Sequence, residues 1–290
     1  MNIRISRRMF LQKMAGTFLA FLGLSGGGLA YAHYIEPKRL DIHVEEFYHP
    51  LIPPSFDGMS IVLFSDTHIG FQYTLNQLQR HVAIINSLQP DIVFFTGDLL
   101  DHPGQFAKKH VLPDILGKIK APFGKFAVYG NHDHGGYGTE IYKNIMEKSS
   151  FQILRNESRK ITMINQQRIY IAGIDDAMLG SPNLYETIKK IPENQFTILL
   201  SHAPDLADEA SLFPIQLQLS GHSHGGQIKL PFIGALITPP FGTKYPEGRY
   251  ELTKQHRLTL YVNRGLGTTR LPYRFFAVPE ITKIVLKSVP

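Results

Sequence analysis

Histidine, aspartate and asparagine side chains recur at five points where an apolar run of the chain ends. Ser65-Asp66-Thr67-His68 follows the first run, Gly97-Asp98 the second and Gly130-Asn131-His132-Asp133 the third. Ser201-His202 and Gly221-His222-Ser223-His224 follow two later runs. Open α/β sheets form their sites outside the carboxyl ends of their strands. The spacing therefore predicts that these side chains meet at one edge of a folded domain.

The residue types in these motifs favour metal binding. Each motif alone is ordinary turn chemistry, but all five together would leave buried charges uncompensated unless a cation is present. Imidazole, carboxylate and one amide oxygen, without any cysteine in the chain, favour divalent Mn, Fe, Zn, Ni or Co over Ca or Mg. Two Asp, one Asn and four His side chains, seven ligands in all, are too many for one ion. We expect two divalent ions (Mn, Fe, Zn or a mixed pair) that share a bridging carboxylate.

The elements that must position these ligands alternate between buried strands and amphipathic helices. Apolar runs at 60–65, 91–96 and 125–129 predict strands, and 74–87 and 111–119 predict helices between them. The later predictions are a hairpin of 159–164 with 168–173, a helix at 184–190, strands at 196–201, 215–220, 227–230 and 257–263, and a Pro/Gly-rich loop at 231–248. The predicted fold class is α/β, a four-layer α-β-β-α sandwich of two mixed sheets.

Composition and charge bound the function. The chain is 43% hydrophobic and 19% charged, as in a folded globular protein, and the absence of cysteine excludes disulfides, thiolate nucleophiles and iron–sulfur clusters. Of its net charge of +6, four positive charges lie in residues 1–32, which leaves 26 basic against 24 acidic residues elsewhere. This near-neutral body predicts no specific nucleic-acid partner, and we expect a monomer.

The first 32 residues have the features of an export signal. Arg7 and Arg8 lie in the sequence SRRMFLQK, an apolar stretch follows at 14–30, and Ala30-Tyr31-Ala32 is a small-x-small cleavage pattern. This sequence resembles the twin-arginine leader. The translocase that recognises such leaders carries folded proteins, often with a cofactor already inserted. The alternative is a retained leader that anchors the protein in the membrane. We expect the mature protein in the periplasm or cell wall, with membrane or wall association.

The ordered motifs DxH, GD, GNH[DE], H and GHxH between Asp66 and His224 resemble the signature of the calcineurin-like metallophosphoesterases. Later motifs resemble the exported bacterial YkuE/YaeI-like branch of that family: Gly225-Gly226-Gln227, Tyr245-Pro246-x-Gly248, Gly265-Leu266-Gly267 and Pro279-Glu280-Ile281. The resemblance implies the metallophosphoesterase fold over residues 59–290, preceded by a signal peptide at 1–32 and an N-terminal extension at 33–58.

The resemblance also implies a role for each site residue. The ligands would be Asp66, His68 and His224 for the first ion, Asn131, His202 and His222 for the second, and Asp98 as the bridge. A water or hydroxide between the ions would be the nucleophile, with no covalent phosphoenzyme. His132 would face the leaving group, and Asp133 would orient His132 or His202, with a simple turn residue as the other interpretation of Asp133. Asp101 stands where purple acid phosphatases carry a tyrosine ligand, so no Fe(III)–tyrosinate centre is expected.

Two features of the last third of the chain concern the substrate. Arginine suits phosphate recognition, so Arg274 is the first candidate for substrate contact and Arg264 the second, with a solvated basic loop as the alternative. The apolar loop around Phe232 predicts either core packing or a surface that meets a lipid or membrane.

These observations together predict the reaction class. We expect a metal-dependent phosphoesterase that hydrolyses phosphodiester or pyrophosphate bonds of an envelope substrate, lipid-linked or wall polymer. A non-catalytic metal-binding envelope protein, a phosphomonoesterase and a nuclease are the alternatives.

Overall fold

Short runs of Val, Ile, Leu and Phe form the central strands of two six-stranded sheets in the computed structural model, which describes residues 26–135 and 138–289. The strands are β1 (Asp41–His49), β2 (Ser60–Phe64), β3 (Ile92–Phe95), β4 (Lys125–Ala127), β5 (Phe151–Ile153), β6 (Glu157–Thr162), β7 (Arg168–Gly173), β8 (Thr197–Leu200), β9 (Leu217–Ser220), β10 (Lys229–Leu230), β11 (Gly234–Ala235), β12 (Gly248–Thr253), β13 (Arg257–Val262) and β14 (Glu280–Ser288). The α-helices are α1 (Leu75–Ser87), α2 (Leu112–Leu116), α3 (Asn131–His134), α4 (Thr139–Lys148), α5 (Leu184–Ile188) and α6 (Ala207–Ala210).

Both sheets are mixed. The first has the order β1-β14-β2-β3-β4-β5, in which β2 to β5 are parallel and β14 is antiparallel to β2. The second has the order β12-β13-β9-β8-β7-β6, with four parallel strands at its centre and antiparallel strands at both edges. β10 and β11 form a separate two-stranded ribbon. The parallel strands of each sheet direct their carboxyl ends to one edge, where the predicted ligands follow.

Alternation along the strands divides the molecule into layers. Ile61 and Leu63 of β2 face the second sheet, whereas Val62 and Phe64 pack against helices α1 and α2. On the far side, α5 and α6 cover the outer face of the second sheet. Each fully buried side chain of this size stabilises the fold by about 1.5–3 kcal/mol. The α-β-β-α sandwich of two mixed sheets predicted from the sequence is confirmed.

The segment 33–58, predicted as an extension, contributes to the first sheet. β1 pairs in parallel with β14 along its whole length, and Phe47, Ile52 and Phe56 are buried in the layer between the sheets. These residues are thus an integral part of the sandwich. Residues 1–25, which hold most of the predicted leader, lie outside the described residues, and Gly26–Ala30 is helical. In the part of the chain that is described, no helix has the length and apolar character needed to span a membrane.

Candidate metal centre

The structure brings all seven predicted metal ligands to one point between the two sheets. Those of the first sheet follow β2, β3 and β4, and those of the second follow β8 and β9. Glycines allow the loops to approach this closely, because a Cβ on Gly130 would overlap the Asp98 carboxylate and one on Gly221 would overlap that of Asp66. The glycines of the GD, GNHD and GHSH motifs therefore have a packing reason.

Five of the seven ligands have a left-handed backbone. The φ angles are +50° at Asp66, +42° at His68, +60° at Asp98, +71° at His222 and +54° at His224. Such conformations cost residues other than glycine on the order of 1–3 kcal/mol each, and they cluster where the site itself requires them.

The first ligand cluster consists of Asp66, His68 and His224, which are buried. Nε2 of His224 lies 3.5 Å from Oδ1 of Asp66 and 3.1 Å from Nε2 of His68. Each residue offers one ligand atom within 4.8 Å of the others. This arrangement of one carboxylate and two imidazoles suits a divalent transition ion.

The second cluster consists of Asp98, His202 and His222, with the same limits on ligand separation. Oδ2 of Asp98 lies 3.4 Å from Nε2 of His202 and 3.4 Å from Nε2 of His68. One carboxylate oxygen thus contacts a histidine of each cluster. That position is the one a bridging ligand needs.

Asn131 provides an independent test of the metal interpretation. Its side-chain oxygen Oδ1 is buried and has no hydrogen-bond partner among the described residues. A buried, unpaired amide oxygen is costly unless an ion or water satisfies it. Together with the two clusters, this oxygen shows that the residues present fit a pair of metal ions.

Hydrogen bonds outside the clusters orient the histidines. Nδ1 of His202 contacts the carbonyl oxygen of Thr96 at 2.6 Å, and Nε2 of His222 contacts that of Pro240 at 2.8 Å. Nδ1 of His68 contacts Oδ1 of Asp101 at 3.1 Å. In each case one ring nitrogen donates outward, so the other is free to bind metal.

Asp101 contacts two histidines of the site, whereas the sequence analysis noted only that it stands where purple acid phosphatases carry a tyrosine ligand. Besides the carboxylate contact to His68, its carbonyl oxygen accepts a hydrogen bond from Nδ1 of His132 at 2.8 Å. The sequence does show a second carboxylate near the site, because Asp101 lies three residues beyond Asp98 on the same loop. Its use could not be inferred, since it depends on how that loop folds back over His68.

The predicted role of Asp133 is wrong. Its carboxylate contacts neither His132 nor His202. It accepts hydrogen bonds from the backbone N–H groups of Asp98, Leu99 and Gly130 at 2.7, 3.0 and 2.8 Å. Asp133 therefore fixes the backbone that carries the bridging Asp98. Burial and the Asp98 charge raise the pKa of Asp133 to about 7.

The charges of Asp98, the candidate bridging ligand, and of the histidines around it shift each other's pKa values. Burial opposes ionisation of Asp98, but His202 and its neighbours hold the pKa of this carboxyl well below its usual range. Burial also opposes protonation of His202, and the Asp98 charge outweighs it and raises the pKa of His202 to about 10. Protons and metal ions therefore compete for the same ligands, which makes metal binding pH-dependent.

The two arginines predicted to contact substrate do not line the cavity at the ligand clusters. Arg274 is 0% exposed, and its guanidinium donates to carbonyl oxygens of Arg264, Gly267 and Ala277 at 2.5–2.9 Å. Arg264 forms ion pairs with Asp41 and Glu280. Both predictions are corrected. The Arg274 side chain points inward and joins loops by hydrogen bonds to their carbonyl oxygens. Arg264 belongs to a salt-bridge network.

A cavity of about 420 Å³ opens at the clusters. Asp98, Asn131, His132, His222 and His224 form its polar part, and Ile228, Leu236, Ile237, Leu271 and Met178 form much of its apolar part. Arg270, which is exposed, is the arginine on its lining. A second cavity, about 280 Å³, shares Asn131 and His132 with the first. Open space therefore lies on two sides of His132.

Comparison with known proteins gives a consistent family match. Residues 59–226 match the model of the calcineurin-like phosphoesterase family. The chain is 46% identical to the metallophosphoesterase YkuE of Bacillus subtilis over 285 residues, which cover 98% of this chain and 99% of YkuE.

Two further relatives are similar over most of their length. Phosphodiesterase YaeI of Escherichia coli is 27% identical, with 97% of this chain and 99% of YaeI covered. The UDP-2,3-diacylglucosamine pyrophosphatase LpxG of Chlamydia muridarum is also 27% identical, with 87% of this chain and 90% of LpxG covered.

Proposed function

The chain belongs to the calcineurin-like phosphoesterase family, and on that premise we propose that it hydrolyses phosphodiester or pyrophosphate bonds of a cell-envelope substrate. The observation that carries the proposal is the position of Asp98, whose carboxylate contacts a histidine of each ligand cluster at the floor of an open cavity. When bound there, two divalent ions would supply Lewis-acid activation of a water molecule and of the phosphoryl oxygens.

His132 is placed to act on the leaving group. Its backbone N–H donates to Oδ1 of Asp98 at 2.8 Å, and its Nδ1 contacts the carbonyl oxygen of Asp101 at 2.8 Å. These two bonds hold the ring over the centre and leave Nε2 to the cavity. From there Nε2 can donate a proton to the departing oxygen, a role worth about 10²–10⁴-fold in rate.

The shape of the site supports a substrate with groups on both sides of phosphorus. The two cavities meet at Asn131 and His132, so a phosphodiester or pyrophosphate bond at that point has room in both directions. A monoester would fill one side only. Arg270 lies on the lining of the larger cavity and supplies a cation for a second phosphate or other anionic group.

An envelope substrate is supported by two independent features. The leader-like residues 1–32 predict export, and one relative is named a pyrophosphatase of a diacylglucosamine nucleotide. The apolar side of the larger cavity suits a substrate that carries hydrocarbon. We therefore favour a lipid-linked phosphoester over a wall polymer.

The test measures hydrolysis of a chromogenic phosphodiester beside the matching monoester. The full-length chain is stripped of metal, and Mn²⁺, Zn²⁺ or Fe²⁺ is then added back. We expect metal-restored turnover with the diester preferred. Silence on both esters with two metal ions bound would contradict the proposal and favour a non-catalytic metal-binding protein.

A matched pair of variants separates metal binding from catalysis. Asp98→Asn removes the shared carboxylate, so both metal loading and turnover should be lost. His132→Ala removes no predicted ligand, so metal loading should persist while turnover falls by about 10²–10⁴-fold. Metal analysis of both proteins checks the division, and equal metal loss in the two variants would refute it.

A further inference from the structure

The turn between β10 and β11 and the residues after it present apolar side chains to solvent. Phe232 is fully exposed, and Ile233, Leu236 and Ile237 are 70%, 50% and 65% exposed. We call residues 230–237, which include part of the two-stranded β10–β11 ribbon, the apolar ribbon. Core packing, one of the two sequence predictions for this loop, is wrong for these side chains. Exposed apolar residues in such a group mark an interaction surface.

The backbone at the tip of the apolar ribbon is strained as well as exposed. Phe232 has φ +67°, a left-handed conformation that costs a bulky residue on the order of 1–3 kcal/mol. The strained conformation presents the ring to solvent, where it gains no burial. Neither feature stabilises the fold, so both point to a function outside it.

The apolar ribbon is joined closely to the candidate metal centre. A Cβ on Gly226 would overlap Ala235, so the ribbon lies directly against the loop that carries His224. Leu236 and Ile237 line the same cavity as His222 and His224. Whatever covers the ribbon therefore covers the mouth of the cavity.

The neighbouring loop extends this apolar rim. The N–H of Lys229 donates to the carbonyl oxygen of Phe275 at 2.8 Å, and the Gln227 side chain bonds the backbone of Thr269 and Leu271. Leu271 and Phe276 on this loop are also exposed. The two segments form one continuous rim.

The chain enters the domain beside this rim. Ala32 accepts a hydrogen bond from the N–H of Arg274, Nδ1 of His33 contacts the carbonyl oxygen of Pro272, and the ring of Tyr31 packs edge-on against Phe275. The sequence before this entry point, residues 14–30, is apolar. A retained leader would therefore hold this side of the molecule at the membrane.

One cation at the rim, Arg270, is available to an anionic partner. The segments 225–246 and 264–279 contain no Asp or Glu, but carboxylates outside them pair with two of their cations: Glu247 with Lys229 and Asp208 with Lys244. Arg270 is exposed and forms no ion pair with a carboxylate of the described residues. An exposed apolar surface with an arginine at its edge fits the interfacial layer of a bilayer with anionic headgroups.

We propose that the apolar ribbon inserts into the interfacial layer of an anionic lipid bilayer and thereby opens the metal cavity toward the lipid headgroups. Amphipathic surfaces of this kind enter the headgroup and acyl boundary by about 5–10 Å. The link between insertion and catalysis rests on the proposed function, because the phosphoester of a membrane lipid lies in that layer. Membrane insertion itself is measured without turnover.

The chain contains no tryptophan, so a single introduced tryptophan reports one position. In full-length Phe232→Trp, added vesicles of phosphatidylglycerol and phosphatidylethanolamine should shift the emission to shorter wavelength, and lipids with brominated acyl chains should quench it. The control is Ile164→Trp, since Ile164 is 102% exposed on the turn between β6 and β7. Its emission should not change, even if another part of the chain holds the protein on the vesicle.

Three outcomes would overturn the proposal: no change at Phe232→Trp, an equal change at Ile164→Trp, or a shift that depends on protein concentration without vesicles. The last would show that a second copy covers the ribbon. Hydrolysis of a soluble diester by the unchanged chain is measured in parallel without lipid. Failure there counts against the proposed function and leaves the insertion result standing.

Discussion

Asp101 contacts two histidines of the site through different atoms. Its carboxylate orients His68, and its carbonyl oxygen orients His132. Thr269 Oγ1 donates to the same carboxylate oxygen at 3.0 Å, which fixes its rotamer. Substitution of the side chain should therefore disturb the ligand His68 and leave the backbone contact to His132 in place.

We predict that Asp101→Ala weakens metal binding by about 10–100-fold, because histidine ligands lose affinity when their outer hydrogen-bond partner is removed. Titration of the metal-free protein with Zn²⁺ or Mn²⁺ measures the change. Asp114→Ala, at an exposed position of α2, is the matched control and should bind metal like the unchanged chain. Equal affinities for all three proteins would show that Asp101 does not position His68.

At this scale the sequence predicted which residues meet but not every direction in which they point. The seven ligands could be chosen because residue type, order and strand ends agreed. Arg274 could not be placed, since the inward turn of its loop depends on the carbonyl groups of Gly267 and Ala277 that receive it. The prediction for Asp133 failed for the same reason: this carboxylate lies next to His132 in the sequence but accepts hydrogen bonds from the backbone of its own loop and of the Asp98 loop.

Helix α1 contains a titratable group that does not belong to the metal centre. His81 faces the core at 9% exposure, and its Nδ1 lies 2.6 Å from the Tyr73 hydroxyl. Burial, with a smaller effect of the Arg80 charge, lowers the pKa of His81 to about 4. The ring is therefore neutral in the folded protein at pH 7, and Nδ1 accepts a hydrogen bond from the Tyr73 hydroxyl.

This shift predicts a loss of stability in mild acid. In the unfolded chain the pKa of histidine is about 6.5, so between pH 6.5 and pH 4 the unfolded state binds a proton that the folded state excludes. Unfolding is then favoured by about 2–3 kcal/mol at pH 4.5 relative to pH 7.5. His81→Gln should remove this part of the pH dependence in urea unfolding of the metal-free protein. His110→Gln, at an exposed position, should retain it, and identical pH profiles for all three proteins would contradict the assignment.

Several of the predicted strands have a single environment. β2, β3, β8 and β9 are buried along their whole length, so apolar runs alone revealed them. β1 was missed because it lies at a sheet edge and carries polar residues on its exposed side. β12 has a similar mixed burial, and α4 follows the GNHD motif so directly that its start was hidden by the site. Their positions depend on pairing partners far along the chain.

The whole molecule assembles its site from both sheets. Asp66 and His222 belong to loops of different sheets, and the N–H of His222 donates to the Asp66 carboxylate at 3.0–3.1 Å. The ligands thus come together only when the sandwich has formed. A protein of this kind suits an export route that carries folded chains, since metal ions can be bound before translocation.

The predicted leader can therefore be tested through the folded state of the protein that a leader variant retains in the cytoplasm. We predict that Arg7→Lys with Arg8→Lys holds the chain in the cytoplasm as a folded, metal-binding protein, because the twin-arginine pair is replaced while its charge is kept. Cell fractionation followed by metal analysis of the retained protein measures both properties. Arg4→Lys, outside the pair, is the control and should be exported normally. Export of the double variant at the normal level would assign the leader to the general secretory route, and the site would then have to assemble and acquire its metal ions outside the cytoplasm.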